Sequence, residues 1–284
     1  MHDRDFIARV AGDVRRALEE DVGSGDLSAA LVDPGRRARA RIVCREPAVI
    51  CGRPWVMETL RQAAPSVVPA WQVGDGERCA AGETIVELEG SARELLTAER
   101  TCLNFLQTLS AVATKTAGYV EAVAGTGVVI LDTRKTIPGL RLAQKYAVRC
   151  GGGRNHRMGL YDAILIKENH IAAAGGLSAA YAAALRQGGG ASFIQVEVET
   201  LGQLAEALAA GVGMVLLDNM PLPRIREAVA LVDGRCSLEV SGGVGFADLA
   251  ALAATGVDRI SIGALIKDIR AVDFSMRFQD DCPS

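Results

Sequence analysis

Two groups of charged residues and one glycine-rich segment in this chain have the types and spacing that chemistry on a small anion requires. Arg134 and Lys135 stand together in LDTRKTIPG, Arg154, His156 and Arg157 follow in GGGRNHRMG, and Lys167 lies in LIKENH. Arginine presents a planar fork that suits bidentate recognition of a carboxylate, whereas lysine acts as a point charge on phosphate or pyrophosphate. Together they fit a small guest that carries several negative charges. Taken singly, Arg154 or Arg141 reads as a solvated surface charge, and a lone histidine as a satisfied structural one. The place of His156 between two arginines and beside Gly151, Gly152 and Gly153 favours an anion site, and its cationic neighbours would keep the ring neutral.

The acidic group is Glu197, Glu199 and Asp218, with Asn219 next to it. Alternation in QVEVE directs Glu197 and Glu199 to the same side of a strand. Carboxylates so placed can hold Mg²⁺ through water or grip ribose hydroxyls. The glycine-rich segment SGGVGF (241–246) follows a strand-like run and opens a helix, as IGAL (262–265) does one unit later. Backbone amides at such a start, approachable because glycine has no side chain, make a phosphate site.

These groups need elements that bring them to one mouth. From about residue 113 the sequence alternates short apolar runs with Ala/Leu-rich helical stretches: VVILD, AILIK, FIQVEVE, MVLLD, CSLEVS and RISIG. Strands buried on both faces read this way, and their alternation with helices predicts a parallel α/β sheet or barrel. Asp132, Lys167, Glu197, Glu199, Asp218, Glu239, Ser241 and Gly263 fall at or near the carboxyl ends of these runs, the face on which barrel enzymes build their sites. An eight-stranded barrel takes ~250 residues and only about 170 remain here, so the expectation is an incomplete barrel of about six to seven parallel strands. Residues 1–112 mix patterns: Phe6, Val10, Val14 and Leu18 share a helical face, while ARARIVCREPAVICG and GETIVELEG read as strands. The fold class is thus α/β, an α+β open-sheet domain over 1–112 followed by a barrel over 113–284, with the C-terminal tail expected to pack back on the first domain.

Composition narrows the partners. Of 284 residues, 49% are hydrophobic and 23% charged, as in a packed globular protein, and the net charge is −3 with Lys and Arg dispersed. Neither nucleic acid nor an anionic membrane is an expected partner. No apolar stretch approaches the ~20 residues of a membrane helix, and MHDRDFIARV lacks the apolar core of a signal peptide, so a cytoplasmic location is expected. Seven cysteines without CxxC pairing suggest neither a disulfide framework nor a zinc site. They read as small apolar residues, although Cys150, beside a glycine run, could be a reactive thiol.

The segment LDTRKTIPGLRLAQKYAVRCGGGRNHRMGLYDAILIKENH (131–170) closely resembles the quinolinate phosphoribosyltransferases. ERTCLNFLQTLSAVAT, EDVGSGDLS, EVE, LLDNM and the SGGV segment extend the likeness over essentially the whole chain, in the same order. The resemblance implies transfer of a phosphoribosyl group from phosphoribosyl pyrophosphate to quinolinate, with decarboxylation to nicotinate mononucleotide. It also implies a homodimer with shared active sites, whose assembly beyond the dimer stays open. By similarity Arg100 from the other subunit, Arg134, His156, Arg157 and Lys167 would surround quinolinate. Lys135 would stand near pyrophosphate, and Lys167 would also reach the sugar phosphate. Glu197 and Asp218 would address the ribose and Mg²⁺, and Ser241, Gly242, Gly243 and Gly263 would receive the 5-phosphate. Lys135, Glu197 and Asp218 are the expected catalytic set. Ser28 stands where relatives commonly have Thr, and Ala111 where Gly is frequent; neither is expected to do chemistry. The paired-acid fingerprint of the other main phosphoribosyltransferase class is absent.

Three rivals remain open at this point. One is a barrel phosphoribosyltransferase of altered substrate, such as a nicotinate-specific or molybdenum-transport-associated relative, against which the set Arg134, His156, Arg157 and Lys167 speaks for a dicarboxylate. Another is an aldolase with Lys167 as Schiff base, which the extra arginines disfavour. The last is a non-catalytic phosphosugar-binding protein, in which the acidic strand ends would lack a purpose.

Overall fold

Strand β1 (Arg37–Cys44) reads RARARIVC, and strict alternation of this kind commits one face of a strand to the interior and the other to solvent. In the computed structural model, which describes residues 3–279, Ala38, Ala40, Ile42 and Cys44 are buried while Arg37, Arg39 and Arg41 are exposed. The chain divides into two units: Met1–Ala117, Ile137–Gly152 and Ile269–Ser284 form the first, Gly118–Thr136 and Gly153–Asp268 the second.

In the first unit, helix α1 (Asp3–Asp21) buries Val10 and Val14 on the stripe its spacing marks out, and Phe6 meets Trp55 edge to face at 5.8 Å between ring centroids. The short strands β2 (Ala48–Val49) and β4 (Arg78–Cys79) pair with each other, with α2 (Arg53–Ala63) and β3 (Val68–Trp71) between them in the chain. Strand β5 (Thr84–Ser91) lies antiparallel between β1 and β3. Helices α3 (Ala92–Ala122) and α4 (Arg141–Cys150) follow. Ile42, Ile85, Leu95, Leu103 and Leu106 sit in the core of this unit and are almost wholly removed from water.

All six apolar runs of the second half hold a strand: β6 (Val129–Leu131), β7 (Ile164–Ile166), β8 (Ile194–Val198), β9 (Met214–Asp218), β10 (Ser237–Ser241) and β11 (Arg259–Ser261). They form a parallel sheet in the order β6-β11-β10-β9-β8-β7. Between and after them run α5 (Glu168–Ala174), α6 (Leu177–Gln187), α7 (Leu201–Ala209), α8 (Leu222–Val232), α9 (Leu249–Ala253) and α10 (Ala264–Lys267). Val196, Val198, Val215, Leu217, Val240 and Ile260, in register across the sheet, are buried on one face, while Gln195, Glu197, Leu216 and Glu239 are buried on the other. The sheet stays open between β6 and β7. Among the described residues only the isolated bridge Leu131↔Arg154 continues the pairing beyond β6, so this is an incomplete α/β barrel of six strands, the lower of the two expected numbers.

After α10 the chain rejoins the first unit, where β12 (Phe274–Phe278) pairs antiparallel with β1 and completes a sheet in the order β12-β1-β5-β3. No described helix is long and apolar enough to cross a membrane. The six described cysteines are free thiols; Cys282 lies outside the described residues.

Candidate active site

Each strand of the barrel delivers its last residues to one cavity of about 360 Å³ in the second unit. The turn after β6 supplies Thr133, Arg134 and Lys135, with the Lys135 N–H donating to Thr133 Oγ1 at 3.1 Å. Buried Asp132, at the end of the same strand, faces inward as a fastener. Its Oδ1 accepts the His156 N–H at 2.9 Å and its Oδ2 accepts Asn155 Nδ2 at 2.6 Å. Through these bonds the GGGRNHRMG segment is laid along β6, which carries His156 and Arg157 to the cavity.

Arg157 is 8% exposed, and its guanidinium is held below the ordinary arginine range by burial and by the neighbouring charge of Arg134. A buried cation with a second one beside it favours an anion between them. His156 spends both ring nitrogens on the protein. Nδ1 accepts the Arg157 N–H at 2.8 Å, which leaves the proton on Nε2, and Nε2 then donates to Gln195 Oε1 at 3.0 Å. Gln195 Nε2 in turn donates to Glu239 Oε2 at 3.0 Å. Glu239 is 1% exposed, and its Oε1 has no hydrogen-bond partner within the protein.

Lys167, following β7, places Nζ 2.9 and 2.7 Å from the two oxygens of Glu197 on β8. Burial raises the Glu197 carboxyl above its ordinary value, Lys167 pulls it back, and the charge of Asp218 on β9 pushes it up again. Asp218 Oδ2 accepts Asn219 Nδ2 at 2.8 Å. Two carboxylates that line one cavity beside a lysine are a donor set that a hard divalent cation suits.

Beside Asp218 lies the glycine segment, which begins at Ser241, the register partner of Asp218 on the neighbouring strand. Gly242 has φ +102° and Gly243 φ +60°; a Cβ on Gly242 would strike the Asn219 side chain and lie 2.8 Å from the Asn219 nitrogen. Ser241, Gly242 and Gly243 line the cavity, and a Cβ on Gly263 would come within 3.0 Å of Lys135 Cδ. The expected helix starts are short here: a 3₁₀ turn over Phe246–Asp248 precedes the five-residue α9, and α10 has four residues. Any anion at this end would therefore be met by loop amides and lysine, not by a long helix dipole.

The cavity thus gathers Arg134, Lys135, His156, Arg157, Lys167, Glu197, Asp218, Ser241, Gly242 and Gly243, with Gly263 against Lys135. Arg100 lies elsewhere, exposed on α3 of the first unit. Glu199 is exposed past the end of β8, where its N–H donates to Gln203 Oε1 at the start of α7. Sequence reasoning placed Glu239 on the strand-end face without a specific partner and passed over Gln195, although the period of two that marked Glu197 also places Gln195 on the same face. It also passed over Leu165 and Leu216, the apolar part of the lining.

Comparison with known proteins fits this geometry. Residues 112–277 match the family described as quinolinate phosphoribosyl transferase, C-terminal domain, and residues 26–110 match the N-terminal domain of the same family. The probable nicotinate-nucleotide pyrophosphorylase (carboxylating) of Bacillus subtilis is 40% identical over 257 residues, covering 90% of this chain and 89% of its own. The nicotinate-nucleotide pyrophosphorylase (carboxylating) of Mycobacterium leprae is 42% identical over 270 residues, with 93% and 95% covered. The solved structure of the nicotinate-nucleotide pyrophosphorylase from Francisella tularensis superposes with a TM-score of 0.93 at 44% identity, over 96% of this chain and 97% of that one.

Proposed function

The chain belongs to the quinolinate phosphoribosyltransferase family, and from that premise we propose how its cavity transfers the phosphoribosyl group of phosphoribosyl pyrophosphate to quinolinate. The enzyme is a pentosyltransferase of NAD biosynthesis whose products are nicotinate mononucleotide, pyrophosphate and CO₂. The observation that carries the division of labour is that buried Arg157, with the charge of Arg134 beside it, lines the same cavity as Ser241, Gly242 and Gly243 and the carboxylates of Glu197 and Asp218.

Arg134 and Arg157 take the two carboxylates of quinolinate, helped by Lys167, while Leu165 and Leu216 offer an apolar wall to the pyridine ring. His156 joins this pocket by its ring edge and by fixing the Arg157 backbone, since both its nitrogens are engaged. The 5-phosphate of the sugar lies against Ser241, Gly242, Gly243 and Gly263. Lys135 neutralises the departing pyrophosphate, and Lys167 steadies Glu197 beside the sugar. Glu197 and Asp218 stabilise the positive charge that develops on the ribose. The same two carboxylates would hold Mg²⁺, which supplies charge neutralisation on pyrophosphate when bound. The pyridine nitrogen attacks C1 of the sugar, and the resulting pyridinium stabilises the carbanion left when the adjacent carboxylate departs as CO₂.

Arg100 is proposed to reach the quinolinate pocket of a partner subunit, which makes the working enzyme a homodimer with shared sites. A cytoplasmic location is supported by the free thiols, which a reducing compartment preserves.

Incubation with quinolinate, phosphoribosyl pyrophosphate and Mg²⁺ should yield nicotinate mononucleotide with equimolar CO₂ and pyrophosphate. Nicotinate should be a very poor substrate, because a monocarboxylate leaves a buried cation uncompensated at a cost of ~2–5 kcal/mol. Comparable kcat/KM values for the two acids would overturn the dicarboxylate assignment of Arg134 and Arg157.

A further inference from the structure

The first unit holds two close pairs of thiols that phosphoribosyl transfer does not use. Cys44 and Cys79 are both buried, donate to the carbonyl oxygens of Glu46 at 3.0 Å and Ala80 at 3.4 Å, and burial pushes the Cys79 thiol up to about 12. That pair is closed to solvent reagents and poorly ionised. The second pair is built differently. Cys51, just ahead of α2, is wholly buried, whereas Cys150, the last residue of α4, is half-buried. Their sulfurs and a carboxylate oxygen of Asp75 all lie within 4.8 Å of one another.

Asp75 is already committed. Its Oδ1 accepts the N–H groups of Gly52 and Arg53 at 3.0 and 3.1 Å, which starts α2, and its Oδ2 accepts the Tyr146 hydroxyl at 2.8 Å. A metal would have to displace these bonds, so the two sulfurs are the groups left to react. They differ in readiness. The hydrogen bond from Cys51 holds the Cys150 thiol below its ordinary value, with further help from Tyr146 and Arg149, while burial drives Cys51 well above it. The accessible sulfur is thus the better nucleophile and the enclosed one keeps its proton.

We propose that Cys51 and Cys150 form an oxidant-responsive dithiol, a modification site in which Cys150 attacks and Cys51 resolves. With hydrogen peroxide as oxidant, the Cys150 thiolate attacks one peroxide oxygen, the O–O bond breaks, and the departing hydroxide takes a proton to become water. Cys150 is then a sulfenic acid. Cys51 attacks that sulfur, the S–O bond breaks, and a second water leaves with the Cys51 proton as the disulfide forms. Two thiols have lost two hydrogens and one peroxide has been reduced to two waters. The chain after Cys150 has no slack, since a Cβ on Gly151 would press on the Ala113 carbonyl and lie 2.7 Å from Thr116 Cβ. Closure therefore proceeds by rotation of the two side chains, and it ties the start of α2 to the end of α4.

The test treats the full-length, reduced enzyme with stoichiometric hydrogen peroxide, blocks the remaining thiols and maps disulfides by mass spectrometry of proteolytic peptides. The expected result is a peptide linking Cys51 to Cys150 that a dithiol reductant releases, while Cys44 and Cys79 stay reduced. In Cys51→Ala the Cys150 sulfenic acid should persist and be captured by dimedone, and in Cys150→Ala the Cys51 thiol should stay reduced. Wild-type protein in which Cys150 proceeds to sulfinic acid with Cys51 free overturns the proposal. So does protein in which Cys44–Cys79 links first, or in which no thiol is consumed while the circular dichroism spectrum is unchanged. Because the wild-type map decides, a variant that fails to fold does not shelter the idea.

Discussion

Glu197 stands under opposed influences: burial and the charge of Asp218 raise its carboxyl above the ordinary value of 4.5, and Lys167 lowers it. The acid limb of kcat/KM should therefore lie above that value, and Lys167→Met, which removes the lowering partner, should move the limb to higher pH. A limb that stays put in a pH–rate profile would separate Glu197 from the chemistry. Stability follows the opposite sense. A raised carboxyl lets the native state hold more protons than the unfolded chain, so stability falls as pH rises from 4.5 through the folded value. Glu197→Gln should accordingly cost ~10²-fold or more in kcat yet raise Tm near pH 7, with no gain near pH 4. Gln195 makes a second case. Gln195→Leu strips the partner from His156 Nε2 and from buried Glu239, and should cost ~2–4 kcal/mol in denaturant unfolding. Glu197 was legible because alternation within one strand points it inward. The Gln195–Glu239 bond joins residues 44 apart, on two strands that flank β9, and nothing local in the sequence encodes that register.

At the ends of the strands the chain changes direction, and there the glycines are not equivalent. Gly242→Ala adds a Cβ that collides with Asn219 at φ +102°, whereas Gly243→Ala places one in open space at φ +60°. Both should raise the KM for phosphoribosyl pyrophosphate, but Gly243→Ala should lose only about 1 kcal/mol of stability and Gly242→Ala ~3 kcal/mol or more. Equal losses by calorimetry would mean that the loop yields freely. All six barrel strands were readable because strands buried against helices keep short apolar runs, nearly unbroken in MVLLD and alternating in IQVEV and SLEVS. Their limits were less so: AILIK gives only three strand residues, because Lys167 turns out of β7 to become the first flank of α5. β12 escaped notice as a strand altogether. FSMRF shows no clean alternation, and its extended form is supplied by pairing with β1, more than 200 residues earlier.

For the whole molecule the shared-site proposal has a numerical consequence. ERTCLNF reads as an amphipathic helix, and the exposure of Arg100 on α3 agrees with a side chain that looks outward from its own subunit. Arg100→Ala and Lys135→Ala should each be nearly inactive alone. Co-refolded in equal amounts, about half the dimers are mixed, each with one intact site, so about a quarter of wild-type activity should return. Recovery no greater than the sum of the single variants, with mixed dimers shown by native mass spectrometry, would place Arg100 within its own chain or outside the reaction. The pairing of β12 with β1 bears on how the protein comes to be made. During synthesis the first sheet emerges from the ribosome with one edge of β1 bare, and the strand that covers it is not translated until every barrel strand has been. The part of the protein that is born first is therefore finished last. A nascent chain stalled before residue 274 would carry a complete barrel and an adhesive sheet edge, which is the form that a ribosome-associated chaperone would have to shield.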